Sequence, residues 1–118
     1  MNAKNNLGRR GEQVAVDYLE RAGLRILDRN WRCAEGEIDI VAAERQVLVI
    51  CEVKTRSSTR YGTPLEAISR NKRARLRRLA IQWLVAHGVL FDEVRIDAIG
   101  LMRDESGSYR IEHVRGVG

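Results

Sequence analysis

The stretch GEIDIVAAERQVLVICEVK, residues 36–54, decides the fold. It reads as two strands, 36–42 and 47–54, rich in apolar and β-branched residues and joined by the short polar segment 43–46. A hairpin is the expected outcome. Side chains in a strand alternate faces with period two. Glu37, Asp39 and Val41 therefore share one face of the first strand, and Leu48, Ile50, Glu52 and Lys54 share one face of the second. With Ala42 opposite Val47, Asp39 faces Ile50 and Glu37 faces Glu52. Asp39, Glu52 and Lys54 then converge on one side. A one-residue slip would separate them, and would also split the apolar set Ile38, Ile40, Val49, Cys51 and Val53.

Two carboxylates side by side on a mostly apolar hairpin repel each other and resist burial. A divalent cation resolves the conflict. Mg²⁺ and Mn²⁺ take oxygen ligands, commonly one or two carboxylates together with waters and phosphate oxygens. Lys54 adds a positive charge on the same face, placed to orient an attacking water or to stabilise charge on a phosphate. The competing reading is a surface ion-pair ladder in which Lys54 simply pairs with Glu52. Leu48 and Ile50 on the same face weigh against full exposure.

Outward from the hairpin, residues 6–22 carry Leu7, Val14, Ala15, Tyr18, Leu19 and Ala22 at helical spacing, with Gly23 as the stop. At ~100° per residue the apolar arc of this helix centres near Gly11 and Ala22, and Glu12 falls at its edge. Glu12 is thus a third acid able to reach towards the sheet, or else an ordinary boundary glutamate. Gly8 and Gly11 are poor helix formers that either admit a close neighbour or simply fray the helix start. Residues 24–31 read as a strand and 57–63 as a polar loop. A second helix is expected from Thr63, with Thr63 as cap, Pro64 at the first helical position and Glu66 completing a capping box. It runs to about Ala86 and stops at Gly88. Residues 93–102 and 108–114 form two closing strands around a turn at 104–107. The order α-β-β-β-α-β-β describes an α/β (α+β) domain with a central mixed or antiparallel sheet of about five strands flanked by helices. The chain is a single domain over residues 1–118, with an ordered core at about 6–115 and a loose tail at 116–118.

The second helix holds most of the chain's charge asymmetry. The 118 residues carry 21 Lys and Arg against 16 Asp and Glu, a net charge of +5. Six of the cations lie in residues 70–78, RNKRARLRR. Without those six, the remaining cations fall one short of the acids. No acid occurs from 67 to 91. So concentrated a field points to a polyanion, although a solvated helix face is the plainer reading. Arg70, Arg73 and Arg77 form a stripe suited to successive phosphates, which Arg56 and Arg60 extend. Lys72 interrupts the apolar face formed by Leu65, Ile68, Leu76, Leu79 and Trp83. It either snorkels or points into the cleft with the carboxylates.

Two cysteines without CxxC spacing and two histidines exclude a disulfide scaffold and a His- or Cys-rich metal site. Cys51, in an apolar run, reads as a buried thiol. No apolar run of membrane-spanning length and no apolar signal core are present, so a cytoplasmic protein without membrane association is expected.

The helix glutamate Glu12, GEIDIVA with Asp39, and Glu52-Val53-Lys54 together resemble the PD-(D/E)xK nuclease superfamily, the restriction-endonuclease-like fold that includes archaeal Holliday junction resolvases. Ile38 precedes Asp39 where the superfamily name has proline. More closely, GRRGEQVAVDYL, GEIDIVA, CEVKTR, TPLEAISRNKRARL and VRIDAIGL are similar to the YraN-like family of uncharacterised bacterial proteins, over roughly residues 7–101. The resemblance implies Mg²⁺ or Mn²⁺ held by Asp39 and Glu52, Glu12 completing the acidic cluster, and Lys54 assisting the water. It also implies a homodimer acting on double-stranded or branched DNA. Asp97, in VRIDAIGL, matches the family without an evident role. The expected function is a metal-dependent endonuclease or resolvase-like nuclease. The alternatives are a non-catalytic nucleic-acid-binding module or assembly partner in DNA processing and, last, RNA processing on the same fold, against which the 5% of aromatic residues weighs because it leaves few platforms to stack single-stranded bases.

Overall fold

The computed structural model describes residues 3–56 and 68–117, with side chains described at 10–56 and 68–117. The elements follow the expected order: α1 (Ala3–Arg21), β1 (Arg25–Cys33), β2 (Gly36–Glu44), β3 (Val47–Arg56), α2 (Arg70–His87), β4 (Glu93–Arg103) and β5 (Tyr109–Val114). The five strands form one mixed sheet in the order β1-β2-β3-β4-β5. Neighbours are antiparallel except β3 and β4, which run parallel from Val47↔Glu93 to Arg56↔Met102. α2 lies in the connection between the parallel pair, as such a crossover requires.

The helices cover opposite faces. On the α1 side, Ala15, Val16 and Leu19 pack against Ile40, Ala42, Val49, Cys51, Ile99 and Leu101. On the α2 side, Leu76, Leu79, Ala80 and Trp83 pack against Val41, Leu48, Ile50, Ile96 and Ala98. β3 is therefore buried on both faces, which is why VLVIC reads as a continuous apolar run and not as an alternation. Cys51 is the buried thiol expected of it. At Gly11, α1 comes close to the sheet. A Cβ there would overlap Thr55 Oγ1 and crowd Leu101 Cδ1 at 3.2 Å.

Four expectations need correction. The hairpin is tighter than Ala42 opposite Val47: Glu44 pairs with Val47, and the turn is Arg45 and Gln46, with Arg45 at φ 56°. This moves the register by two residues, so Asp39, Glu52 and Lys54 keep their shared face. Second, α2 does not extend back through Ile68 and Ser69. It starts at Arg70, capped by Ser69, whose side chain accepts the Lys72 N–H at 3.1 Å. The predicted Thr63–Glu66 capping box lies outside the described residues, as does Arg60. Third, Ile38 packs on the α2 side, not with Ile40. The β1–β2 register shifts between Ile26 and Asp28, and Asn30 of β1 has φ 51°. Fourth, the tail is fastened at 116–117. The Gly116 N–H donates to Asp97 and the Val117 N–H to the Ile96 carbonyl, while the Val117 side chain is buried against the α2-side core.

Candidate active site

The β2–β3 ladder runs from Glu44↔Val47 to Ile40↔Cys51. The next residue pair in that register is Asp39 and Glu52. Here a side chain replaces the main-chain partner. The Val53 N–H donates to Asp39 Oδ2 at 2.8 Å. This anchors the Asp39 carboxylate between the strands and beside Glu52. Both acids line a cleft of about 250 Å³ with Gly36, Glu37, Lys72, Arg75 and Leu76. One wall is the β2–β3 opening and the other is the first two turns of α2.

Glu52 is one of two buried charged residues among the described ones, at 7% exposure. Its Oε1 meets Lys72 Nζ at 2.5 Å and Lys54 Nζ at 3.7 Å. Lys54 follows Glu52 on the same strand face, as period two requires, and is 41% exposed. Burial and then the Glu52 charge push the Asp39 carboxyl up from its usual 3.8 to about 7, against the Val53 hydrogen bond. Glu12 and Glu37 add smaller upward pushes. Glu12 approaches from α1, on the other side of the sheet. Its Oε1 is buried with no hydrogen-bond partner among the described residues. Glu37 is tied outward to Arg32 at 2.6 Å.

Asp39 and Glu52 therefore come together in the cleft with Lys72, and Lys54 Nζ stands 3.7 Å from Glu52 without lining the cleft. Glu12 acts on Asp39 electrostatically but does not line the cleft. Among the described residues, no three His, Cys, Asp or Glu side chains are grouped to hold a metal ion. The donor chemistry nevertheless suits a hard cation. It offers a carboxylate now neutralised by lysine and, beside it, a second carboxyl that resists ionising.

The basic stripe is not uniform. Arg70 and Arg77 are exposed, and Arg56 is half-buried at the end of β3. Arg73 is turned inward and donates to the Val117 carbonyl at 2.8 Å, so it fastens the tail where a phosphate grip was expected. Arg75, which the stripe omitted, lines the cleft instead. Its spacing of three from Lys72 was the available signal, since such residues neighbour each other on a helix.

Asp97 now has a role that the sequence left open. It is fully buried on the α1 side. Arg95 Nε and Nη2 reach its two oxygens at 2.9 and 3.0 Å, His113 Nε2 lies 2.8 Å away, and the Gly116 N–H donates at 3.0 Å. Arg95 also donates to Glu44 at 2.9 Å, and Tyr18 Oη lies 2.9 Å from His113 Nδ1. The group knits α1, β2, β4, β5 and the tail. Burial alone would raise the Asp97 carboxyl, but its hydrogen bonds from His113, Arg95 and Gly116 hold it below the usual value.

Among the described residues, no helix is long and apolar enough to cross a membrane. Residues 11–101 match the family described as "Uncharacterised protein family UPF0102". Three proteins named UPF0102 protein are similar over essentially their whole lengths. That of Arthrobacter sp. strain FB24 is 54% identical over 118 residues, covering 100% of both chains. That of Beutenbergia cavernae is 52% identical with the same coverage. That of Frankia casuarinae is 52% identical over 117 residues, 99% of each chain.

Proposed function

We propose that this chain, which belongs to the uncharacterised protein family UPF0102, is a metal-dependent DNA endonuclease with a resolvase-like site. The observation that carries this reading is the Asp39–Glu52 pair: two carboxyls side by side where the ladder opens, one of them raised to about 7 by burial and by the other. A carboxyl so disfavoured in its charged form is a candidate for chemistry more than for structure. The basic residues on the α2 wall complement it. Acids that hold a cation and bases that hold phosphate are what phosphodiester hydrolysis uses.

In this reading Asp39 and Glu52 hold Mg²⁺ or Mn²⁺, with Glu12 as a further acid. Such an ion would supply Lewis acidity at a phosphate and would lower the pKa of a bound water. The protein's own groups do the rest. Lys54, partly exposed beside Glu52, would steady the attacking water and the charge that builds on phosphate oxygens. Arg70, Arg75 and Arg77 bind flanking phosphates without regard to sequence. The Val53 N–H fixes the direction of the Asp39 carboxylate.

The test is cleavage of branched, flapped and linear DNA in Mg²⁺ or Mn²⁺. Wild-type protein should nick at least one of them. Glu52→Ala and Asp39→Asn should each lower the rate by at least ~100-fold, the scale of losing a main electrostatic contributor. Cleavage that survives both substitutions would remove this site from consideration.

A second reading has its own observation. Lys72 already neutralises Glu52, as befits a non-catalytic nucleic-acid-binding module. That reading expects salt-sensitive binding that depends on Arg70 and Arg77 and is indifferent to Glu52→Ala. Competition between duplex DNA and structured RNA separates a DNA partner from an RNA one.

A further inference from the structure

Lys72 stands in an unfavourable place for a cation. It is the third residue of α2, at the positive end of the helix dipole. The first turn holds no acid, and Arg70 and Arg73 flank it. What holds it there is Glu52, at 2.5 Å and largely out of solvent. The converse also applies. A buried carboxylate beside a second acid needs a counter-charge, and Lys72 provides it much more closely than Lys54 at 3.7 Å.

Both lysines address the same oxygen, Glu52 Oε1. A divalent ion on that oxygen would sit against the Lys72 ammonium, and the two repel. Lys72 lines the cleft together with Arg75, on the wall where phosphates are expected. Its four-carbon arm leaves the ammonium able to turn from one wall to the other.

We propose that Lys72 is the exchangeable cation of this site: it occupies Glu52 until a divalent ion arrives, and is then released to a phosphate of the bound nucleic acid. The inference rests on the reading of Asp39 and Glu52 as metal ligands. It adds that metal and nucleic acid bind with positive coupling, each freeing Lys72 for the other.

The experiment is Mn²⁺ binding to the free protein, followed by the electron paramagnetic resonance of the unbound ion. Lys72→Met should bind Mn²⁺ about tenfold more tightly than wild type, within the usual range of coupling between sites. Arg75→Met removes one positive charge from the same cleft without touching Glu52. It should change the affinity by less than about twofold, as expected for a solvent-screened charge. Lys72→Gln serves as the second probe should the methionine variant not fold, and Lys72→Arg should stay weak. Equal tightening in the Lys72 and Arg75 variants overturns the inference. So does unchanged affinity in Lys72→Met while Glu52→Gln abolishes binding, and that outcome leaves the metal reading standing. If neither wild type nor Lys72→Met binds Mn²⁺, the metal reading itself falls.

Duplex affinity, measured by fluorescence anisotropy in Ca²⁺ and in EDTA, tests the release. Wild type should gain about one phosphate contact in Ca²⁺, steepening the dependence of log affinity on log salt by ~0.9. Lys72→Met should gain none. The same change in both proteins overturns the phosphate half of the proposal.

Discussion

Two acidic sites lie one step apart in the β3–β4 register, on opposite faces of the sheet. Cys51 pairs with Asp97 and Glu52 pairs with Ala98. On the α1 face, Asp97 is fully buried, and donors on Arg95, His113 and the Gly116 main chain converge on its two oxygens. On the α2 face, Glu52 has two lysines on one oxygen and a second carboxyl beside it. The first carboxyl is held below its usual value, and Asp39 in the second site is raised to about 7. Burial pushes both the same way, so the difference lies in the neighbours. A carboxylate given every donor it needs fastens the fold. One given another carboxylate stores a demand for positive charge that the fold does not fully meet, and the proposed function rests on that demand.

The widest separation between the two should appear on truncation. Asp97→Ala leaves the Arg95 and His113 groups without their shared acceptor. It should cost about 3–5 kcal/mol of folding stability in urea titration, the scale of breaking a buried ion pair from one side. A loss below about 1 kcal/mol would contradict the structural role given to Asp97.

Asp39→Asn should act in the opposite sense. The folded-state value of Asp39 is raised, so the folded protein holds this proton more tightly than the unfolded chain does. Stability from this group is fully present below about pH 4 and is lost as pH rises through about 7. Between about pH 5 and pH 8, metal-free wild type should therefore lose on the order of 1–3 kcal/mol that Asp39→Asn does not. Asp97 has the reverse sign, its contribution fading only as pH falls through a value below 3.8. Parallel pH profiles for wild type and Asp39→Asn would remove the contrast.

The finest test concerns the order of influences on Asp39. Its titration, followed by carboxyl NMR, should move downward most in Glu52→Gln, less in Glu12→Gln and least in Glu37→Gln. Any other order would redraw the acidic cluster.

Much of the second site was legible in the sequence and little of the first. Period two places Asp39, Glu52 and Lys54 on one side whatever even-numbered register the hairpin takes, so a register wrong by two still assembled them. The turn itself was misread because neither Arg45 nor Gln46 carries a turn signal such as Asn-Gly, yet Arg45 adopts φ 56°. The start of α2 was misread because Thr63, Pro64 and Glu66 satisfy the rules for a helix start as well as Ser69 does. The Asp97 group was hidden by distance along the chain. Its members come from α1, β2, β4, β5 and the tail, and only Arg95 and Asp97, two apart in an apolar strand, gave a local sign. Arg73 was misjudged because a helical wheel shows which residues share a face, not that a tail carbonyl waits there.

The hydrogen bond from Val53 to Asp39 gives the site a built-in reporter. In a strand ladder the usual acceptor of an amide is a main-chain carbonyl, which cannot change its charge. At Val53 the acceptor is a side chain that gains and loses a proton and is a candidate ligand. The frequency and solvent-exchange rate of that one amide proton therefore register what has happened to Asp39. Occupancy of the cleft can be read from inside the sheet, without a substrate and without a label on the cleft itself.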